Sequence, residues 1–173
     1  GAVHDDKILP SMLQVMAVCN NAYLVDGGFS GDATDGALLL YARDTGDLGQ
    51  LRDVREVAEE PFNYALRRMI TVAVPRGEDR PVAFLKGAPE VVLGMCDRIM
   101  VNGDVIELDE QQHARVIDDY RRRAGRGERG LGFARRVADG ADVPEGGYVF
   151  VGLVGMIDPP RPEVPDAMVR CRS

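Results

Sequence analysis

A chain of 173 residues carries one domain, or one domain with a short appendage, and is long enough to fold around a core without staples. Its hydrophobic fraction of 45% and charged fraction of 28% are those of an ordinary soluble domain. A net charge of −7, from 28 acidic and 21 basic residues, argues against nucleic acid or an anionic membrane as the main partner, but allows an anionic ligand held by a few local cations.

Taken in chain order, Leu9 to Leu24 has helical spacing at Leu9, Leu13, Met16, Cys19 and Tyr23, with Pro10 suited to the first turn. Gly27–Gly28 predicts a turn. A second helix is predicted from Thr34 to Tyr41 with Asp32 as its N-cap, followed by a polar loop from Asp44 to Gln50. Val54–Val57, Arg68–Val74 and Val82–Lys86 read as strands, the last two as a hairpin turning at Arg76–Arg80. Pro89–Met95 reads as a short helix. Arg98–Val101 and Val105–Leu108 flank Asn102–Gly103, a strong hairpin signal. Asp109–Arg123 is a clear helix: Asp109 and Gln112 have the spacing of a capping box, and Val116, Ile117 and Tyr120 form the apolar side. Leu131–Val137 and Tyr148–Ile157 read as strands joined by the loop Asp139–Gly147. Asp158-Pro159-Pro160 stops the last strand, and Glu163–Arg172 begins another helix. Hairpin-linked strands with interspersed helices predict an α+β fold, a twisted, mostly antiparallel sheet flanked by helices.

Several chemistries find no support. Cys19, Cys96 and Cys171 are widely spaced and form no CxxC pair, which fits free thiols in a reducing compartment. His4 and His113 stand alone, so no metal site is predicted. No apolar run approaches the ~18 residues of a membrane span, and the N-terminus lacks a signal-peptide pattern. Gly125-x-Gly127-x-x-Gly130 has the letters of a dinucleotide-binding loop. It follows a predicted helix and precedes a strand, the reverse of the order that gives the motif its mechanism.

Three segments could carry chemistry. In Pro61-Phe62-Asn63-Tyr64-Ala65-Leu66-Arg67-Arg68-Met69 an aromatic, two arginines and a methionine open a strand. They suit a stacked base with a cation nearby, or equally a core ring beside a solvated basic pair. In Lys86-Gly87-Ala88-Pro89-Glu90 a lysine ends an apolar strand and a glycine allows close approach of a ligand, although an ordinary strand-to-helix turn would use the same residues. In Gly127-Glu128-Arg129-Gly130-Leu131-Gly132-Phe133-Ala134 the arginine could reach phosphate oxygens or simply be solvated.

In this order and spacing the three segments resemble the nucleotide-binding domain of P-type cation-transporting ATPases. Gly31-Asp32-Ala33-Thr34-Asp35-Gly36-Ala37-Leu38 is similar to the family's GDPTEGAL. Val154-Gly155-Met156-Ile157-Asp158-Pro159-Pro160-Arg161 resembles its VGMxDPPR hinge. The wording looks most like the type II branch of calcium and sodium/potassium pumps. The resemblance implies a nucleotide-binding domain over residues 1–154, with 155–173 as the hinge and the start of a phosphorylation domain.

The resemblance also implies roles. Phe62 would stack on adenine, Arg67 would take the family's lysine position beside the ring, and Lys86 and Gly87 would line the pocket. Arg129 would reach the phosphates. Asp35 stands where the family has a base-contacting glutamate, and Met69 and Leu131 would be apolar neighbours. The family's phosphorylated DKTGT aspartate and its TGDGxND magnesium segment do not occur in the sequence. No catalytic residue is therefore expected here. The chain should bind ATP weakly, at ~0.1–1 mM, without hydrolysing it, and as a monomer. In the whole pump the ligand would be Mg-ATP and the partners the phosphorylation and actuator domains of the same polypeptide, on the cytoplasmic face of a membrane. Only Lys7 and Lys86 are lysines among 21 basic residues, which hints at a GC-rich bacterial source. The competing readings are a non-catalytic interaction module derived from this domain, and a self-contained hydrolase or kinase. The latter would need a nucleophile–base pair or a carboxylate cluster, and the adjacent pairs Asp5–Asp6 and Asp118–Asp119 are poor candidates.

Overall fold

The computed structural model describes residues 7–157. Helix α1 (Leu9–Val18) starts with Pro10 in its first turn, where the missing N–H has no helical partner to lose. It stops at Val18, short of the expected Leu24, and Asn20 is the reason. The Asn20 Nδ2 donates to the Met16 carbonyl at 2.9 Å and its Oδ1 accepts the Ala22 N–H at 2.8 Å. The side chain thus takes a carbonyl that a helix end leaves open and turns the chain away. Tyr23–Val25 (β1) and Gly28–Ser30 (β2) then pair antiparallel around Gly27, whose φ is 86°. The turn expected at Gly27–Gly28 is present, but three-residue strands carry too little alternation to read. Helix α2 (Ala33–Thr45) is longer than the expected 34–41, and Asp32 caps it by accepting the Thr34 and Asp35 N–H groups. A Cβ on Gly36 would lie 2.0 Å from the Phe29 ring, so glycine lets the small hairpin seat directly on α2. Asp47 caps a short helix, α3 (Leu48–Leu51), inside the expected polar loop.

The remaining elements are β3 (Val54–Asn63), β4 (Arg68–Pro75), β5 (Val82–Gly87), α4 (Pro89–Gly94), β6 (Cys96–Val101), β7 (Asp104–Glu107), α5 (Glu110–Ala124), β8 (Arg129–Val137) and β9 (Tyr148–Met156). The strands from β3 onward form one seven-stranded sheet in the order β3-β4-β5-β8-β9-β6-β7. All neighbours are antiparallel except β6 and β9, which run parallel. The fold is the expected α+β sheet flanked by helices. Asn102 and Gly103, at φ 53° and 89°, make the predicted two-residue hairpin, and Asp109 accepts the Gln112 N–H at 2.7 Å to cap α5. The Gly125–Gly130 letters do follow a helix, and they run into the first residues of the strand after it. Strand β3 runs well past the expected Val54–Val57, so Phe62 closes β3 instead of opening β4. The expected stop at Asp158–Pro160 and helix at Glu163–Arg172 lie outside the described residues.

Strand alternation sorts the core into two layers. Met69, Ala73, Val82, Phe84 and Phe133 face α1 and α2, packing with Leu13, Met16 and Leu38. Ile70, Val72, Ala83, Leu85 and Ala134 face the other way, against Val92 and Leu93 of α4 and Val116 and Ile117 of α5. Burying one side chain of this size contributes about 1.5–3 kcal/mol. The sheet is thus covered on both sides, and the few polar residues buried within these layers show where chemistry could sit.

Candidate functional site

The clearest exception is Lys86, only 4% exposed in a strand that is otherwise apolar. Its register places it opposite Met69 on β4 and Phe133 on β8, on the face toward α1 and α2. There its ammonium is paired with Asp35 of α2 through Oδ1. The second carboxylate oxygen, Oδ2, accepts the Asn21 N–H at 3.1 Å, and the Asp35 carbonyl accepts Asn20 Nδ2 at 2.9 Å. A buried ammonium without a partner is costly, so each member of the pair is tolerated because of the other. The pair ties the first turn of α2 to the sheet.

Other predicted residues gather around it. Met69 is buried beside Lys86 and its carbonyl lies 3.4 Å from the Cys19 thiol. Burial pushes that thiol up to about 11, with the Lys86 charge pulling the other way. Leu131 packs on the same layer, two residues along β8 from Phe133. Two further residues along stands Arg129, whose Nη1 donates to Thr34 Oγ1 at 3.2 Å in the first turn of α2. Asp35, Lys86, Met69, Leu131 and Arg129 therefore share one face of the sheet under the start of α2.

Phe62 joins them by register. Between the pairs Glu60–Ile70 and Asn63–Arg68, a bulge sets Pro61 and Phe62 opposite the single residue Met69. Phe62 is therefore in the same transverse row as Met69 and Lys86, two strand spacings or roughly 10 Å from Lys86. Its ring is 47% exposed and meets Tyr64 edge-on, with centroids 5.2 Å apart. Gly87 is in the next row, opposite Arg68, with Arg67 just beyond the start of β4. A Cβ on Gly87 would lie 2.4 Å from the Arg67 carbonyl, so the glycine allows two strands' ends to meet closely. The Arg67 guanidinium is paired with Glu90 of α4 at 2.8 Å, so it is tied to α4 and not to the Lys86–Asp35 group.

A cavity of about 830 Å³ lies elsewhere, against β9 between α1 and α5. Met12, Met16, Leu38, Phe150 and Val151 give it apolar walls, and none of the predicted residues lines it. Of the cations that reach it, Arg123 is already paired with Asp119 and Glu128. The predicted residues, with their half-exposed aromatic and converging charges, make the better site for an aromatic anion. Asn20 and Asn21 support that site, and the sequence reading gives them no part in it. Their signal was available: two adjacent asparagines interrupt an apolar helical pattern.

The family of the P-type ATPase cytoplasmic domain N matches residues 9–163. The chain is 35% identical over 193 aligned positions to the sodium/potassium-transporting ATPase subunit alpha-A of Artemia franciscana, covering 96% of this chain and 19% of that protein. It is 34% identical to the potassium-transporting ATPase alpha chain 2 of Cavia porcellus, covering 94% and 18%. It is likewise 34% identical to the sodium/potassium-transporting ATPase subunit alpha-2 of Gallus gallus, covering 97% and 19%. The chain thus spans about a fifth of the length of these curated relatives. The relatives are animal proteins and lend no support to a bacterial source.

Proposed function

The chain belongs to the P-type ATPase cytoplasmic domain N family, and from that premise we propose that it captures ATP for a cation pump of which it is one part. The observation that supports this most is the convergence of Lys86, Met69, Leu131 and Arg129 on one face of the sheet beneath Asp35 of α2, with Phe62 in the same row as Met69 and Lys86. In this reading Phe62 stacks on the adenine, a contact that contributes ~1–3 kcal/mol. Met69 and Leu131 close the apolar side. Lys86 and Gly87 form the floor. Lys86 is spent on Asp35 and too buried to follow a phosphate, so its part is to hold the first turn of α2 in place. Asp35 meets the base at its edge while remaining bound to Lys86. Arg129, exposed on β8, and Arg67 supply the guanidinium forks that phosphate oxygens favour.

The work left to such a domain is capture and orientation. The γ-phosphate is presented to an aspartate on a separate phosphorylation domain. Mg²⁺, bound as Mg-ATP, supplies charge neutralisation at the transferring phosphate. Among the described residues no group of His, Cys, Asp or Glu side chains gathers to hold such an ion. Residues 1–154 act as the nucleotide domain and 155–173 lead back toward the phosphorylation domain. The actuator domain is a further partner within the whole pump. Among the described residues no helix is long and apolar enough to cross a membrane. The family's description makes this a cytoplasmic domain, and the membrane helices belong to the rest of the pump. We take the cation to be an alkali ion, as in the relatives' names.

An NMR titration of the chain with ATP tests the reading. Saturable shifts at Phe62, Lys86 and Arg129, with a dissociation constant of ~0.1–1 mM, are expected, and Phe62→Ala should weaken them about tenfold. Absence of shifts at several millimolar ATP would favour the interaction-module reading instead.

A further inference from the structure

Arg67 has a rigidly held backbone and a loosely held charge. Its φ of 51° is in the left-handed region that long side chains seldom adopt. Four contacts fix it there. The Arg67 N–H donates to the Asn63 carbonyl at 2.6 Å, and the Asn63 Oδ1 accepts the Ala65 and Leu66 N–H groups at 2.8 and 3.1 Å. The Arg67 carbonyl accepts the Ala88 N–H at 3.0 Å, and only a glycine at 87 leaves room for that carbonyl. The guanidinium, by contrast, is held by one ion pair to Glu90 at 2.8 Å, with 54% and 41% of the two side chains exposed. Glu90 is the last residue of the same segment that supplies Lys86 and Gly87.

We propose that Glu90 is an internal competitor for Arg67, holding the guanidinium until a nucleotide phosphate takes it, so that Glu90 sets the affinity for phosphorylated nucleosides and not for the base. The inference rests on the nucleotide-binding reading and specifies how one of its cations is regulated. The chemistry favours exchange. An exposed carboxylate–guanidinium pair is weak and screened by salt. A polyphosphate carries more charge than a carboxylate and accepts both prongs of the guanidinium fork. Because the backbone of Arg67 is fixed, the exchange needs only a side-chain rotation.

Calorimetric titration with ATP and with adenosine, on the wild-type chain, Glu90→Gln, Arg67→Ala and the double variant, tests this. Glu90→Gln should tighten ATP by about two- to fivefold at low ionic strength, leave adenosine unchanged, and lose its effect in the Arg67→Ala background and at high salt. Weaker ATP binding in Glu90→Gln would overturn the proposal, because Glu90 would then be orienting Arg67. An equal change for adenosine, or a gain that persists without Arg67, would overturn it too. If the wild-type chain binds neither ligand, the nucleotide reading fails and carries this inference with it. If it binds ATP and Glu90→Gln does not tighten it, the exchange alone fails.

Discussion

Cys19 is wedged between the end of α1 and β4, fully buried, with its thiol directed at the Met69 carbonyl. Deprotonation there would create an anion in a nearly dry site, and burial raises the thiol from 9.0 to about 11 despite the nearby Lys86. The folded chain therefore keeps a proton that the unfolded chain releases above about pH 9. The stability tied to that proton is complete below pH 9 and is lost as pH rises through about 11. At about 1.4 kcal/mol per unit the loss amounts to about 3 kcal/mol. Denaturant melts of wild type and Cys19→Ala at about pH 8 and pH 11 would show it. The variant starts less stable because of its cavity, but its alkaline decline should be shallower by roughly that amount. Equal declines would place the alkaline sensitivity elsewhere, with Cys96, raised by burial to about 12, the next candidate.

Among the elements, the junction between α1 and α2 matters most for the site, because Asp35 is aimed by it. Asn20, 3% exposed, joins Met16, Ala22 and Asp35 by three hydrogen bonds, and Arg52 lies 3.4 Å from the Asn20 and Ala22 carbonyls. Asn20→Ala would leave buried carbonyls and an N–H unmet, at a cost of about 3 kcal/mol. Asp32→Ala removes an exposed N-cap and should cost only about 1 kcal/mol. Urea midpoints at constant slope separate the two, and equal losses would mean that Asn20 is no more than a local cap. The same junction shows why parts of the fold were hard to read. Its apolar spacing runs on through Cys19 to Tyr23, so periodicity alone extends the helix, and only the hydrogen-bonding of Asn20 reveals the break. Strand β3 was shortened for a related reason: Arg55, Glu56, Glu59 and Glu60 hide a strand lying at the sheet edge. The β4–β5 and β6–β7 hairpins and α5 were legible because turn and cap chemistry there agrees with the pattern on either side. Lys86 and Asp35 were legible as separate motif letters, but their mutual pairing depends on a contact 51 residues apart in sequence.

For the whole molecule, the question is how a chain of net charge −7 would hold the polyanion proposed for it. Two electrostatic terms oppose each other. The surplus negative charge is spread over a body with a radius of gyration of about 16 Å. At 0.1 M salt the screening length is only about 10 Å, so most of that repulsion is damped. In the proposed reading Arg67 and Arg129 would act at hydrogen-bonding distance, where screening is weaker. The local attraction should therefore dominate, and added salt should weaken it more than it relieves the distant repulsion. ATP affinity is expected to fall severalfold between low and high ionic strength, while adenosine, which the proposed reading stacks on Phe62, should bind equally well throughout. Parallel titrations with the two ligands across salt concentration measure this difference. An ATP affinity that rises with salt would mean that the overall field governs binding, and that the two arginines are not near enough to the phosphates to offset it.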